Sequence, residues 1–177
     1  MTKLDASQVR CHVLTYKEGL LSAVAHDLWI DVTRMSVDVD GAAGKVEATF
    51  DATSLTVRCA MKDGAERPDA LSAKDKRDIE DNIAKDVLGT KKHKEIRFRS
   101  RSVTAQGSGY VVSGTLELKG SARDVSFDLR PVGEQLEAKV RIHQPDFGIK
   151  PYSAMLGALK IKPDVDVILR VAKGAAS

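Results

Sequence analysis

Four histidines, two cysteines and one basic run are the residues of this chain that could do chemistry. His26 is followed directly by Asp27, the residue types of a general base and its orienting carboxylate. Neighbours on a strand point to opposite faces, so in extended chain the two do not form an oriented pair. No HxH, HExxH or GxSxG pattern occurs, and Cys11 and Cys59 are too far apart for a CxxC site. His12, beside Cys11, has no second pair at metal spacing, so both cysteines read as buried free thiols. Gly107 and Gly109 lack the third glycine of a dinucleotide loop and join strand to strand. Lys91, Lys92, Lys94, Arg97, Arg99 and Arg101 could form an electrostatic footprint for phosphates. The aromatic nearest to them, Phe98, falls on the opposite strand face from the arginines, so the stacking platform of a single-strand binder is missing. These residues therefore predict no catalytic triad, no metal, no cofactor and no nucleic acid partner.

The elements that must position these side chains are mostly strands. Val9, Cys11 and Val13 alternate with polar neighbours, as do Val46, Ala48 and Phe50, then Ile96, Phe98 and Ser100. The same period of two runs through Tyr110–Leu118, Val125–Leu129, Leu136–Ile142 and Val165–Val171. Between Leu28 and Val39 the parity changes: Ile30 and Val32 are even, whereas Met35, Val37 and Val39 are odd. A one-residue slip would turn the second set outward, so a bulge or kink near Thr33 and Arg34 is predicted. One helix is predicted from Ser72 to about Leu88. Ser72 and Asp75 have capping-box spacing, Ile79, Ile83 and Val87 form an apolar stripe, and Gly89 supplies the stop. Shorter helical turns are predicted at Leu20–Ala25 and around Ser153–Leu159.

Composition agrees with a folded, mainly β domain. The chain has 177 residues, 42% of them hydrophobic and 30% charged, enough apolar content to exclude disorder. No linker or repeat divides it, so residues 1–177 read as one domain. The net charge of +3 does not call for a nucleic acid partner. Met1–Ser7 lacks the basic start and apolar run of a secretion signal, and Leu20–Ala25 is far too short to span a bilayer, so the expected location is cytoplasmic. About eight antiparallel strands with one helical insertion at 72–88 predict a β-barrel or sandwich. A closed sheet of that size either fills itself with side chains or holds one small ligand. Small inward residues such as Ala48, Ser100 and Gly114 argue for space, and a filled core remains the alternative.

The order of several short motifs resembles the bacterial YceI-like proteins, a lipid-binding family with a lipocalin-like barrel. Val24-Ala25-His26-Asp27-Leu28 looks like the family's V-x-H-L segment, and Val46–Leu55 like its V-x-x-x-I-D-x-x-S-L strand. His93–Ser100 looks like its I-x-F-x-S strand, with Lys94 in place of the family proline, and Val112–Gly120 like V-x-G-x-L-T-L-x-G. Asp146-Phe147-Gly148-Ile149 matches D-F-G-I, and Val165–Val171 resembles the last strand. The resemblance runs over about residues 8–172; the first strand, Val9–Thr15, lacks the family's aromatic.

This resemblance implies an elongated apolar pocket for a polyisoprenoid, an isoprenoid quinone or a fatty-acid-like chain, bound and carried without catalysis. It is compatible with a homodimer, and many relatives are periplasmic. The lining is expected from Val13, Ile30, Phe98, Val112 and Phe127. Leu21, Val24 and Trp29 are expected at the mouth, with Phe147, Met155 and Leu156 from the D-F-G-I turn and the segment after it. His26 would hydrogen-bond a head group. Two other readings stay open: a filled barrel that binds a protein partner through its basic strand and helix, and a small-molecule enzyme built around His26.

Overall fold

A computed structural model describes residues 1–18 and 26–175. Fifteen strands and one α-helix make up the regular structure among them. The strands are β1 (Thr2–Asp5), β2 (Val9–Thr15), β3 (Lys17–Glu18), β4 (Asp27–Val32), β5 (Met35–Asp40), β6 (Lys45–Asp51), β7 (Leu55–Lys62) and β8 (Ala65–Arg67). They continue as β9 (Glu95–Gln106), β10 (Gly109–Leu118), β11 (Ser121–Val132), β12 (Gln135–His143), β13 (Ser153–Ala154), β14 (Leu159–Ile161) and β15 (Asp164–Ala172). Twelve of them form one antiparallel sheet in the order β1-β5-β6-β9-β10-β11-β12-β15-β2-β4-β7-β8, and β13-β14-β3 form a small second sheet. The expectation of about eight strands is therefore corrected to twelve in the main sheet.

The difference arises from two bent strands. β4 and β5 are one extended segment interrupted at Thr33–Arg34, where the parity slip predicts a kink. β6 and β7 are likewise joined by a single 3₁₀ turn, Ala52–Ser54. The two bent segments pair along their whole length, with Met35 opposite Phe50 and Val32 opposite Leu55. Within this bent hairpin, β6 meets β9 at one end of the sheet order and β4 meets β2 near the other. One hairpin thus ties the two ends of the sheet together, so the sheet has to curl. The corner is held by backbone bonds from Asp51 to the Arg34 carbonyl (3.0 Å) and from Thr33 to the Ser54 carbonyl (3.2 Å). The Arg34 guanidinium adds bonds to Asp51 and Thr53, each 2.8 Å.

The strand β7 is absent from the sequence reading because its parity breaks. Ile30 pairs with Val57 but Trp29 pairs with Cys59, which leaves Arg58 as an extra residue. β1 is too short and polar to show a period. Leu4 on β1 and Val9 on β2 are nevertheless almost wholly buried and share a cluster with Val37, Ala48, Phe98 and Val112.

The helix α1 (Ala73–Asn82) begins where expected. Ser72 caps it, with both halves of the capping box formed to Asp75. It continues as one π-turn over Ile83–Val87 and stops at Gly89, whose φ of +63° is in the left-handed region. The turn expected at Ser153–Leu159 is reduced to a short 3₁₀ turn, Met155–Gly157, between β13 and β14. The turn expected at Leu20–Ala25 lies outside the described residues. No helix among the described residues is long and apolar enough to cross a membrane.

Candidate functional site

The inward face of the curled sheet surrounds a cavity of about 650 Å³. That is a size typical of pockets that take drug-sized ligands. Strand alternation builds its wall: Val9, Cys11 and Val13 from β2, then Val165, Val167, Leu169 and Val171 from β15. Val112, Leu116 and Leu118 from β10 join Val125, Phe127 and Leu129 from β11. Phe50, Phe98 and Phe127 are the large members of an otherwise aliphatic lining. The Phe98 and Phe127 rings meet at 5.6 Å, tilted by 52°. Cys11 belongs to this apolar wall chemically as well. Burial, helped by the negative charge of Asp31, pushes its thiol up to about 12, so it stays protonated.

The helical segment covers one end of the cavity. Ile79, Ile83, Val87 and Leu88 line it, the stripe read from sequence plus its last residue. The π-turn makes this possible, because an i→i+5 bond from Leu88 to the Ile83 carbonyl (2.9 Å) brings Leu88 back over Ile83. The helix is fastened to the sheet at the β7 bulge. The Val57 amide donates to Glu80 Oε1 (2.7 Å), and Lys76 Nζ donates to the Arg58 carbonyl (2.7 Å). Both backbone groups are freed by the bulge, and two helix side chains satisfy them.

Polar residues of the lining are few. His26, Asp75, Asp78, Asn82 and Tyr152 line it with Thr15 and Gln144. Asn82 Nδ2 donates to the Tyr152 hydroxyl (3.1 Å), linking the end of the helix to the residue just before β13. Hydrogen bonds from Ser72, helped by the Lys74 charge, keep the Asp75 carboxyl below its ordinary value. Thr15 Oγ1 is buried and has no hydrogen-bond partner among the described residues. Gln144 is satisfied by the Lys162 carbonyl (3.0 Å). No group of three or more potential metal ligands occurs among the described residues.

The residues expected from sequence divide cleanly. Val13, His26, Ile30, Phe98, Val112 and Phe127 all line the cavity. Trp29 does not: between the inward Leu28 and Ile30, it lies on the outer face, stacked on His12 at 4.0 Å with Arg58 above it. Phe147 is buried but packs in the cluster of Ala138, Ile142 and Ile149, outside the cavity wall. Met155 and Leu156 are solvent-exposed, because the left-handed tip of their turn points them away. Leu21 and Val24 lie outside the described residues. Sequence reading missed Thr15, Asn82 and Tyr152. Thr15 continues the alternation of β2 and could have been found, whereas Asn82 and Tyr152 are far apart in sequence and give no local signal. The two cysteines are buried and free, as expected. The arginines of the basic strand point outward, Arg97 pairing with Glu95 and Arg101 with Asp124 (2.9 Å).

A mainly antiparallel, curled sheet around an apolar cavity, with one helix among its lining, defines a ligand-holding β fold. Comparison with known proteins places it further: residues 5–172 match the YceI-like domain, and the chain belongs to the YceI-like family. A UPF0312 protein of Serratia proteamaculans (strain 568) is 32% identical over 74 residues, covering 36% of this chain and 38% of that protein's length. Among solved structures, Burkholderia cenocepacia BcnA is similar with a TM-score of 0.65 and 18% identity, covering 95% of this chain and 98% of that one. A polyisoprenoid binding domain from Saccharophagus degradans, implicated in plant cell wall breakdown, has a TM-score of 0.57 and 12% identity, covering 97% of both chains. At these identities the likeness is one of fold.

Proposed function

We propose that this protein binds and carries one long apolar chain, of the polyisoprenoid, isoprenoid quinone or fatty-acid-like class, in the cavity of the curled sheet, without turnover. The observation that supports this most is the lining itself: about 650 Å³ of space walled by Val, Leu, Ile and Phe. A chain in that space gains about 0.8 kcal/mol per buried CH₂, so little polar help is needed for tight binding. The polyisoprenoid-binding description of the Saccharophagus degradans domain supports the same class of ligand.

The polar residues of the lining narrow the head group. Asp75 and Asp78 would repel a phosphate or carboxylate, while Asn82 and Tyr152 offer neutral donors and acceptors. An uncharged polar head, such as a quinone or alcohol, fits these groups best. Thr15 Oγ1 offers one more hydrogen bond inside. The competing reading, a partner docked on the basic strand, draws less support because Arg97 and Arg101 are already ion-paired.

Organic extraction of the purified protein followed by mass spectrometry tests the proposal. Recovery of a neutral-headed lipid, or uptake of added isoprenoid quinone by the extracted protein, is expected. Val13→Phe combined with Val167→Phe, which fills the middle of the cavity, should reduce uptake at least tenfold. No lipid and no uptake would overturn the carrier reading.

A further inference from the structure

One loop joins the cavity to two of the most exposed apolar side chains of the surface. Tyr152 precedes the loop's tip and Leu159 and Ile161 follow it, and all three line the cavity. At the tip, Met155 and Leu156 have φ of 52° and 56°, a left-handed conformation that bulky residues avoid. That backbone turns both side chains away from the protein: Met155 is 65% exposed and Leu156 fully so. The base is firmly tied. Ile161 donates to the Tyr152 carbonyl (3.0 Å), and Lys162 to the Tyr16 carbonyl (2.8 Å).

Along the loop itself the charge has one sign, with Glu18 of the neighbouring β3 opposite Lys160. From Phe147 to Pro163 the chain carries Lys150, Lys160 and Lys162 and no acidic residue. All three lysines are exposed, and their side chains form no ion pair with the described residues. Elsewhere some basic side chains are matched by a carboxylate, as in Lys74–Asp78, Lys85–Asp81 and Arg101–Asp124. Two exposed apolar side chains in a loop with three exposed lysines suit an interface with acyl chains below and phosphates above. A stable protein partner would need roughly 800 Å² on each side, far more than this tip offers.

We infer that this loop docks the protein on an anionic lipid bilayer. Met155 and Leu156 enter the acyl boundary, Lys150, Lys160 and Lys162 meet the headgroup phosphates, and the cavity opening is brought to the membrane. The inference goes beyond the binding reading and stands without it, because docking is measured with no cargo present.

The test is co-flotation of the full chain with phosphatidylcholine vesicles, with and without phosphatidylglycerol. Binding to the anionic vesicles, weakened by added salt, is the expected result. Lys150→Gln/Lys160→Gln/Lys162→Gln should weaken it by on the order of 100-fold, at roughly fivefold per lysine. Met155→Ser/Leu156→Ser should abolish it while Tm stays unchanged. In case the serine variant folds poorly, Leu156→Trp gives a gain of signal, a blue-shifted emission on anionic vesicles that the parent lacks. Equal binding to both vesicle types, variants that bind like the parent, or an unshifted Leu156→Trp emission would overturn the inference. So would a dimer, seen by light scattering, that Leu156→Ser dissociates while vesicles bind nothing. Docking without quinone uptake would overturn only the carrier reading.

Discussion

Gly114 and Phe98 show how one residue shapes the cavity. A Cβ at Gly114 would stand 2.3 Å from the Arg99 carbonyl oxygen and 2.8 Å from two atoms of the Phe98 ring. The small residue therefore makes room for a neighbouring aromatic and does not leave a void. Gly114→Ala should cost about 1 to 3 kcal/mol in urea unfolding, because backbone cannot give way as a side chain can. Ser100 is small for another reason. Its Oγ accepts the Val46 amide (2.8 Å) beside the register shift between β9 and β10. Residue size along a strand thus reported space correctly at Ala48, which lines the cavity, but not at these two. Trp29 carries the opposite lesson. The alternation of Leu28, Ile30 and Val32 sets its outward parity, which keeps it away from the cavity.

At the scale of elements, the helix that covers the cavity is set by signals of different range. Ser72, Asp75 and Gly89 bound it locally, and sequence alone locates them. Its attachment is non-local: Glu80 accepts the amide that the β7 bulge releases, and Lys76 donates to the neighbouring carbonyl. Glu80→Ala leaves the Val57 amide unpaired and should destabilise the protein by about 1 to 3 kcal/mol. Because this bond holds the cover against the wall, the same variant should also exchange a bound apolar dye faster in stopped-flow measurements. Ser72→Ala should cost only about 1 kcal/mol and leave that exchange rate closer to the parent. Reversal of the two effects would show that the cap, not the bulge, holds the helix in place.

The whole molecule carries its pH dependence on the outside of the sheet. Asp166 is fully buried there under Tyr16 (2.6 Å), Arg141 (2.9 Å) and Lys139 (3.1 Å). Burial alone would raise its pKa, but these bonds outweigh it and hold the carboxyl at about 2. Burial and the O–H bond to Asp166 push Tyr16 up to about 12. His12, buried against Trp29, is shifted below its ordinary 6.5 by burial and then by the nearby Arg170 charge. For both His12 and Asp166 the unfolded chain binds a proton more readily than the folded one, so stability rises with pH across each window. The His12 contribution is complete above about pH 6.5 and declines below it. The Asp166 contribution is complete above its reference of 3.8 and is lost as pH falls towards about 2. Thermal melts across pH should show two acid limbs. His12→Gln should flatten the upper one and Asp166→Asn the lower; a single limb unaffected by either variant would contradict this assignment.

By itself the sequence determined which side chains face inward, because alternation follows from the geometry of each strand. Nearly every inward residue it predicted on β2, β6, β11 and β15 lines the cavity. It also located the helix caps and the parity slip at Thr33–Arg34, both set by a few adjacent residues. Only the tertiary structure decided how many strands there are and how the sheet's ends are tied. Each bent segment reads as one strand locally, but the hairpin the two form pairs at two distant places, with β9 through β6 and with β2 through β4. The meeting of Asn82 with Tyr152 was likewise invisible. That contact depends on where a helix and a second sheet come to rest, and no local backbone preference encodes it.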